Sequence, residues 1–112
     1  MLNELRLNKK PFESIRNKTK TVEMRLYDEK RQRIKPGDTI LFKLRDNESE
    51  TIKVLVKNIK VFKNFEELYK NYDKFSLGYR EDEAASFKDM EEYYSTYEQK
   101  KYGVVAIEIE VL

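Results

Sequence analysis

The chain has 112 residues, 39% of them charged, a net charge of +2, eight Tyr and six Phe, and neither Cys nor His. That length suffices for one modest hydrophobic core and not for two, so a single domain spanning 1–112 is expected. The missing residue types exclude disulfides, thiol nucleophiles, imidazole bases and most zinc sites, and no metal or cofactor is expected.

The N-terminus lacks a continuous apolar segment of the kind that heads a secretory signal, and no run approaches the roughly 20 apolar residues of a membrane span. A soluble cytoplasmic protein with no membrane partner is the expectation. The small net charge hides an asymmetry. Residues 1–35 carry eleven Lys and Arg against five Asp and Glu, whereas residues 81–112 carry three against nine. The basic first third could face phosphates, or the acidic last third could pack beside it and neutralise it.

In chain order, Leu2, Leu5 and Leu7 predict a short strand ending at Asn8. Pro11 suits the first turn of a helix on which Phe12, Ile15 and Arg16 occupy neighbouring rows. A strand from Thr21 places Val22, Met24 and Leu26 on a core face and Glu23, Arg25 and Tyr27 on the other, with Lys20 just before it. Tyr27 to Lys35 reads as a charged connection without periodicity. Lys35-Pro36-Gly37-Asp38 is a turn, because Pro presets φ at its second position and Gly accepts positive φ at its third.

The next strand, Thr39 to Leu44, points Ile40, Phe42 and Leu44 inward. Asp46 to Ser49 is a polar hairpin loop. A long strand from Thr51 to Phe62 points Ile52, Val54 and Val56 inward, then switches parity to Ile59 and Val61, which predicts a β-bulge near Lys57-Asn58. Asn64, with Glu67 three residues on, caps a short helix. Phe75 to Tyr79 is a compact loop, followed by the acidic run Glu81 to Glu83. Ser86 and Asp89 open a helix whose Phe87, Met90, Tyr93, Tyr94 and Tyr97 form an apolar row, expected to be core. The closing strand, Tyr102 to Leu112, turns Val105, Ile107, Ile109 and Val111 inward and Glu108 and Glu110 outward. Five strands with one parity break and interspersed short helices predict an α+β fold, a small mixed β-barrel flanked by helices.

Four segments carry a resemblance: Pro11-Phe12-Glu13-Ser14-Ile15; Lys18-x-Lys20-x-x-Glu23-x-Arg25-Leu26; Ile34-Lys35-Pro36-Gly37-Asp38-Thr39-Ile40; and Tyr102-Gly103-Val104-Val105-Ala106-Ile107-Glu108-Ile109. In this order they resemble the ASCH domain family of the PUA-like superfamily. The family motif G-x-K-x-x-E-x-R is met by Lys20, Glu23 and Arg25, while Lys18 stands where the glycine would be. Glycine at such a place often marks positive φ, which a Lys adopts only at a cost. The resemblance implies a cleft between barrel and helices in which the motif residues sit.

It also implies a partner, RNA or a nucleotide-like small molecule. Lys18, Lys20, Arg25 and Arg16 would meet phosphates or base edges, and Tyr27 and Tyr79 would stack bases. The alternative is a small hydrolase using the same cleft, either an amidohydrolase on a modified nucleoside such as acetylcytidine or a ribonuclease, both of which the resemblance allows. In the acetylcytidine amidohydrolases of the family the motif Lys is catalytic, a Thr three residues later is the nucleophile, and a downstream acid donates the proton. Here Glu23 occupies the Thr position, and the acid would be Glu83 or its neighbours Glu81 and Asp82. Lys20 and Glu23 would then be the catalytic pair, Lys20 polarising a carbonyl or phosphate and Glu23 activating water. A protein-binding module is the third possibility.

Overall fold

The computed structural model describes residues 2–112. Its elements run β1 (Leu2–Leu7), α1 (Lys9–Arg16), β2 (Val22–Leu26), α2 (Glu29–Gln32), β3 (Thr39–Leu44), β4 (Asn47–Phe62), α3 (Phe65–Tyr69), a 3₁₀ helix (Phe87–Glu92), α4 (Thr96–Tyr102) and β5 (Val104–Val111). The five strands form one sheet in the order β1-β3-β4-β5-β2, with β1 parallel to β3 and every other pairing antiparallel. The sheet curls into a half-barrel whose edge strands are β1 and β2. The expected α+β barrel with short helices is therefore present.

Where sequence and structure agree, the reason is patterning. Val56 pairs with Ile109, but the next pairing is Asn58 with Glu108, so Lys57 is the extra residue. That is the bulge the parity switch requires, and it lets Ile59 face the same core as Val56. Val61 lies beyond the core's reach and is half exposed. The hairpin is tighter than expected, since β4 already begins at Asn47. The charged connection after Tyr27 contains the single turn of α2, capped by the Asp28 side chain, which accepts from the Arg31 N–H.

Two cores flank the sheet. The larger fills the half-barrel with Leu5, Phe42, Ile40, Val54, Val105 and Ile107, closed at one end by Phe12 and Ile15 of α1. The smaller lies on the outer face of β2 and β5, where Val22, Met24, Leu26, Val104 and Ala106 pack against Phe65 and Leu68 of α3. Strand β5 is thus buried on both sides along Val104–Ile107. The aromatic row after Ser86 divides: Phe87, Met90 and Tyr94 pack on the smaller core, whereas Tyr93 and Tyr97 are exposed. Its helix is also broken in two, because Ser95 starts α4 afresh with a full capping box to Glu98.

Candidate nucleic-acid and nucleotide cleft

The two strands that open the half-barrel also build the site. In β2, Glu23 lies opposite Ile107 and Arg25 opposite Val105. Directly opposed residues of an antiparallel pair share a face, so these charges project into the half-barrel beside its main core. Both faces of β2 are covered, and Glu23 is only 2% exposed. Arg25 reaches across the opening and donates from Nη2 to the backbone carbonyl of Arg6 on β1, at 2.9 Å. One side chain therefore ties the two edge strands together.

Lys20 is delivered by the end of α1. The Thr19 N–H donates to Ser14 O and the Lys18 N–H to Ile15 O, each at 3.0 Å. With Asn17 as C-cap these are the paired bonds of a Schellman motif, which needs a left-handed residue just after the cap. Lys18 occupies that place with φ of 69°, among the described residues the only non-glycine with positive φ. The family's glycine is thus explained by a helix end, and the expected backbone cost at Lys18 is present. The following amides of Thr21 and Val22 both donate to Ser76 O, which fixes the entry into β2.

At the floor, Lys20 Nζ lies 3.1 Å from Glu23 Oε1 and Arg25 Nε lies 2.8 Å from Glu23 Oε2. Burial would raise the Glu23 pKa, but the pull of Lys20 and Arg25 exceeds it and holds the carboxyl below its ordinary value. Burial likewise works against the Arg25 charge, yet Glu23, and then the Tyr94 hydroxyl, leave its pKa raised. Both Glu23 oxygens are engaged, whereas the Lys20 ammonium has three N–H donors and spends one on Glu23. The Lys20 stem runs over Gly78: a Cβ there would stand 3.0 Å from Lys20 Cδ. With φ of +103°, Gly78 also has a backbone that favours glycine.

Above this floor lies a cleft of about 500 Å³, within the range of small-molecule sites. Its two walls differ in chemistry. Arg6, Lys10, Arg31 and Arg45 come from the side of β1, α1, α2 and the β3–β4 turn, while Tyr69, Tyr79, Met90, Tyr93 and Tyr94 come from α3 and the segment around the 3₁₀ helix. Most of the basic wall has anionic partners: Arg6 with Glu48, Lys10 with Glu83, and Arg31 with Asp28 at 2.7 Å. Arg45 donates from Nε to the neutral Asn8 side chain at 3.0 Å. Arg31 Nε is buried with no acceptor among the described residues, a deficit of about 1–3 kcal/mol for a dry donor. On the aromatic wall the Tyr79 hydroxyl donates to Asp89 at 2.7 Å, has the Ser86 carbonyl as a second acceptor at 3.2 Å, and lies 2.8 Å from the Tyr69 hydroxyl. Burial first, then these bonds, raises the Tyr79 pKa far above the usual tyrosine range.

The structure thus brings Lys20, Glu23, Arg25 and Tyr79 into one cleft and leaves the other expected residues outside it. Tyr27 is half-buried against the main core, because the strand ends at Leu26 and the chain turns into α2. Lys18 faces a separate groove of about 630 Å³ that shares only Lys20 with the cleft. Arg16 pairs with Glu50 at 2.8 Å and lies over the Phe12 ring. Glu83 is not a cleft residue: its carboxylate binds Lys10 and the Arg80 N–H, and these bonds, that of Lys10 first, hold its pKa down. Among the described residues no group of three or more acidic side chains is placed to hold a metal ion.

Sequence reasoning missed the basic wall and most of the aromatic one. The Tyr93-Tyr94 doublet was the available signal, since a row broken by the Ser95 cap cannot bury both rings. Arg31 and Arg45 gave none, being single cations among many. The Lys10–Glu83 pair joins the basic first third to the acidic last third; Arg6 and Arg16 find partners in the middle third instead.

A half-barrel with helices over its edge and a buried Lys-Glu-Arg floor defines a class of small cleft-bearing domains. The match to the ASCH domain family covers residues 5–112, and the chain belongs to that family. The chain is similar over its whole length to hypothetical protein PH0355, whose crystal structure is covered completely, with 37% identity and a TM-score of 0.85. It is likewise similar to protein PF0455 from Pyrococcus furiosus, known from a solution NMR structure, with 37% identity, 98% of that chain covered and a TM-score of 0.69. No curated protein matches the chain. Among the described residues no helix is long and apolar enough to cross a membrane.

Proposed function

We propose that residues 1–112 act as one ASCH domain that binds single-stranded RNA or a nucleotide-like ligand in the cleft above Lys20, Glu23 and Arg25. The observation that carries this reading is the division of the cleft into a cationic wall and an aromatic wall. A nucleotide has the same division, with anionic phosphate oxygens at one end and a flat π-face at the other. Lys20 contributes the donors that Glu23 leaves unused, and Arg25 stays charged at the floor. Glu23 serves as the anion that holds both in place.

The geometry supports binding over hydrolysis. A general base works best with a pKa near the operating pH, whereas Glu23 is held ionised by two cations and has both oxygens occupied. Glu83, the expected acid, lies outside the cleft. Fluorescence anisotropy with short single-stranded RNA, at low and moderate salt, tests the reading on the parent, Lys20→Ala and the exposed Tyr93→Ala. Binding should fall steeply with salt and weaken in both variants while their circular dichroism stays folded. Absence of binding at low salt in the parent refutes the RNA form, and assays of free nucleotides and of modified-nucleoside hydrolysis then take its place.

A further inference from the structure

The cleft is asymmetric in how well its charges are satisfied. At the floor Lys20, Glu23 and Arg25 hold one another at 3.1 and 2.8 Å. On the basic wall two arginines are less well provided. Asp28 takes Arg31 at Nη1, 2.7 Å away, and no other polar partner of the Arg31 side chain is present among the described residues. The Nε edge, with which a guanidinium forks an oxyanion, is therefore left without an acceptor. Arg45 has the neutral Asn8 amide oxygen as its side-chain partner and no carboxylate within ion-pair distance among the described residues. Arg6 and Lys10, on the same wall, each have a carboxylate.

We infer that Arg31 and Arg45, both on the lining of the cleft, form a phosphate subsite, so that the ligand is a phosphorylated nucleoside unit and not a bare nucleoside. This deepens the cleft reading above and rests on it. A phosphate would give Arg45 a counter-charge and draw Arg31, whose Nε is closed off from solvent in this conformation, out to an acceptor that Asp28 does not supply. The ligand's base would then extend toward Tyr93 and Tyr94, on the wall of opposite chemistry. The polarity of the bound ligand follows: phosphate toward α2 and the β3–β4 turn, base toward the 3₁₀ helix. Lys20, between the walls, is left for the sugar or a base carbonyl.

Isothermal titration of the parent with the four common nucleosides and their 5′-monophosphates tests this, together with a six-nucleotide RNA carrying either a 5′-phosphate or a 5′-hydroxyl. The variants are Arg31→Gln, the conservative Arg31→Lys, and Arg45→Gln, each checked for an unchanged near-ultraviolet circular dichroism spectrum. A monophosphate should bind about tenfold more tightly than its nucleoside, the size of one charge-assisted bond. Arg31→Gln or Arg45→Gln should remove most of that advantage without weakening the nucleoside, and Arg31→Lys should restore part of it. If the advantage appears only with the hexanucleotide, whether or not its end is phosphorylated, and is lost in the same variants, the phosphate is an internal diester and the subsite stands. Equal affinity for nucleoside and monophosphate, with RNA binding indifferent to both arginines, overturns the subsite while the cleft reading survives. No binding of any of these ligands overturns both.

Discussion

Replacing Glu23 by Gln isolates the charge at the cleft floor, because Gln keeps the volume and one acceptor but cannot neutralise two cations. Glu23 is 2% exposed and Lys20 9%, so the ion pairs are out of bulk water and little screened. Breaking a buried pair by removing one partner typically costs about 3–5 kcal/mol, since the remaining charge is stranded. At roughly 4–8 °C per kcal/mol for a domain near this size, the melting temperature should fall by at least about 12 °C. The pH dependence follows from the direction of the shift. Folding lowers the Glu23 pKa below its reference of 4.5, so its contribution is fully present above pH 4.5 and is lost as pH falls through the folded value. Urea denaturation at pH 7, and at steps below pH 4.5, should show the gap between parent and variant narrowing as the parent's Glu23 takes up its proton. A loss under about 1 kcal/mol at pH 7, or a gap that stays constant with acid, would refute the account of Glu23 as the buried counter-ion of Lys20 and Arg25.

Three further outcomes are expected. Lys18→Gly should stabilise the protein by about 0.5–1 kcal/mol in thermal denaturation: relief of the left-handed backbone, about 1–2 kcal/mol, outweighs the extra chain entropy of glycine. Ligand affinity in the cleft should be unchanged, since Lys18 faces the other groove. Gly78→Ala should act in the opposite sense. Its φ of +103° and the 3.0 Å approach of a Cβ to Lys20 Cδ should cost about 1–2 kcal/mol and weaken RNA binding by displacing the Lys20 stem, as denaturation and anisotropy on one preparation would show. In a spectrophotometric titration, Tyr69, Tyr72 and Tyr79 should ionise above the ordinary tyrosine range, because burial and, for Tyr72, the bond to Glu108 raise their pKa values. Tyr79→Phe should delete one of the late-titrating groups.

What could be read along the chain was what depends on neighbours in sequence. Alternation gave β2, β3 and β5 with their inward residues. The change of parity between Val56 and Ile59 was enough to place the bulge, because side-chain period two leaves no other way to keep both on one core. The helix starts at Asn64 and the turn at Pro36-Gly37 followed from local backbone chemistry. The short α2 escaped notice because a single turn of charged residues has no periodicity, and its stop and start depend on the Asp28 side chain reaching the Arg31 N–H.

The site was legible only in part. Lys20, Glu23 and Arg25 could be picked out by the family motif, and the strand pattern placed Glu23 and Arg25 on one face of β2. That this face is buried could not be seen, since alternation distinguishes two faces but does not say that both are covered. The cover on the second face comes from curling of the sheet, which brings β1 to the far side of the opening, and from Arg25 donating to Arg6 O across it. Tyr27 keeps the face of Glu23 and Arg25 and packs on the main core, but it does not line the cleft, since β2 ends at Leu26 and the chain turns into α2. Patterns spanning a few residues were enough for the five strands, for the starts of α1 and α3 and for the α+β class, and the family motif added the three floor residues. Which cations meet which tyrosines was settled by the packing of distant segments, because the walls are drawn from parts of the chain up to about ninety residues apart. No local pattern encodes their meeting; it is set by the order of strands in the curled sheet.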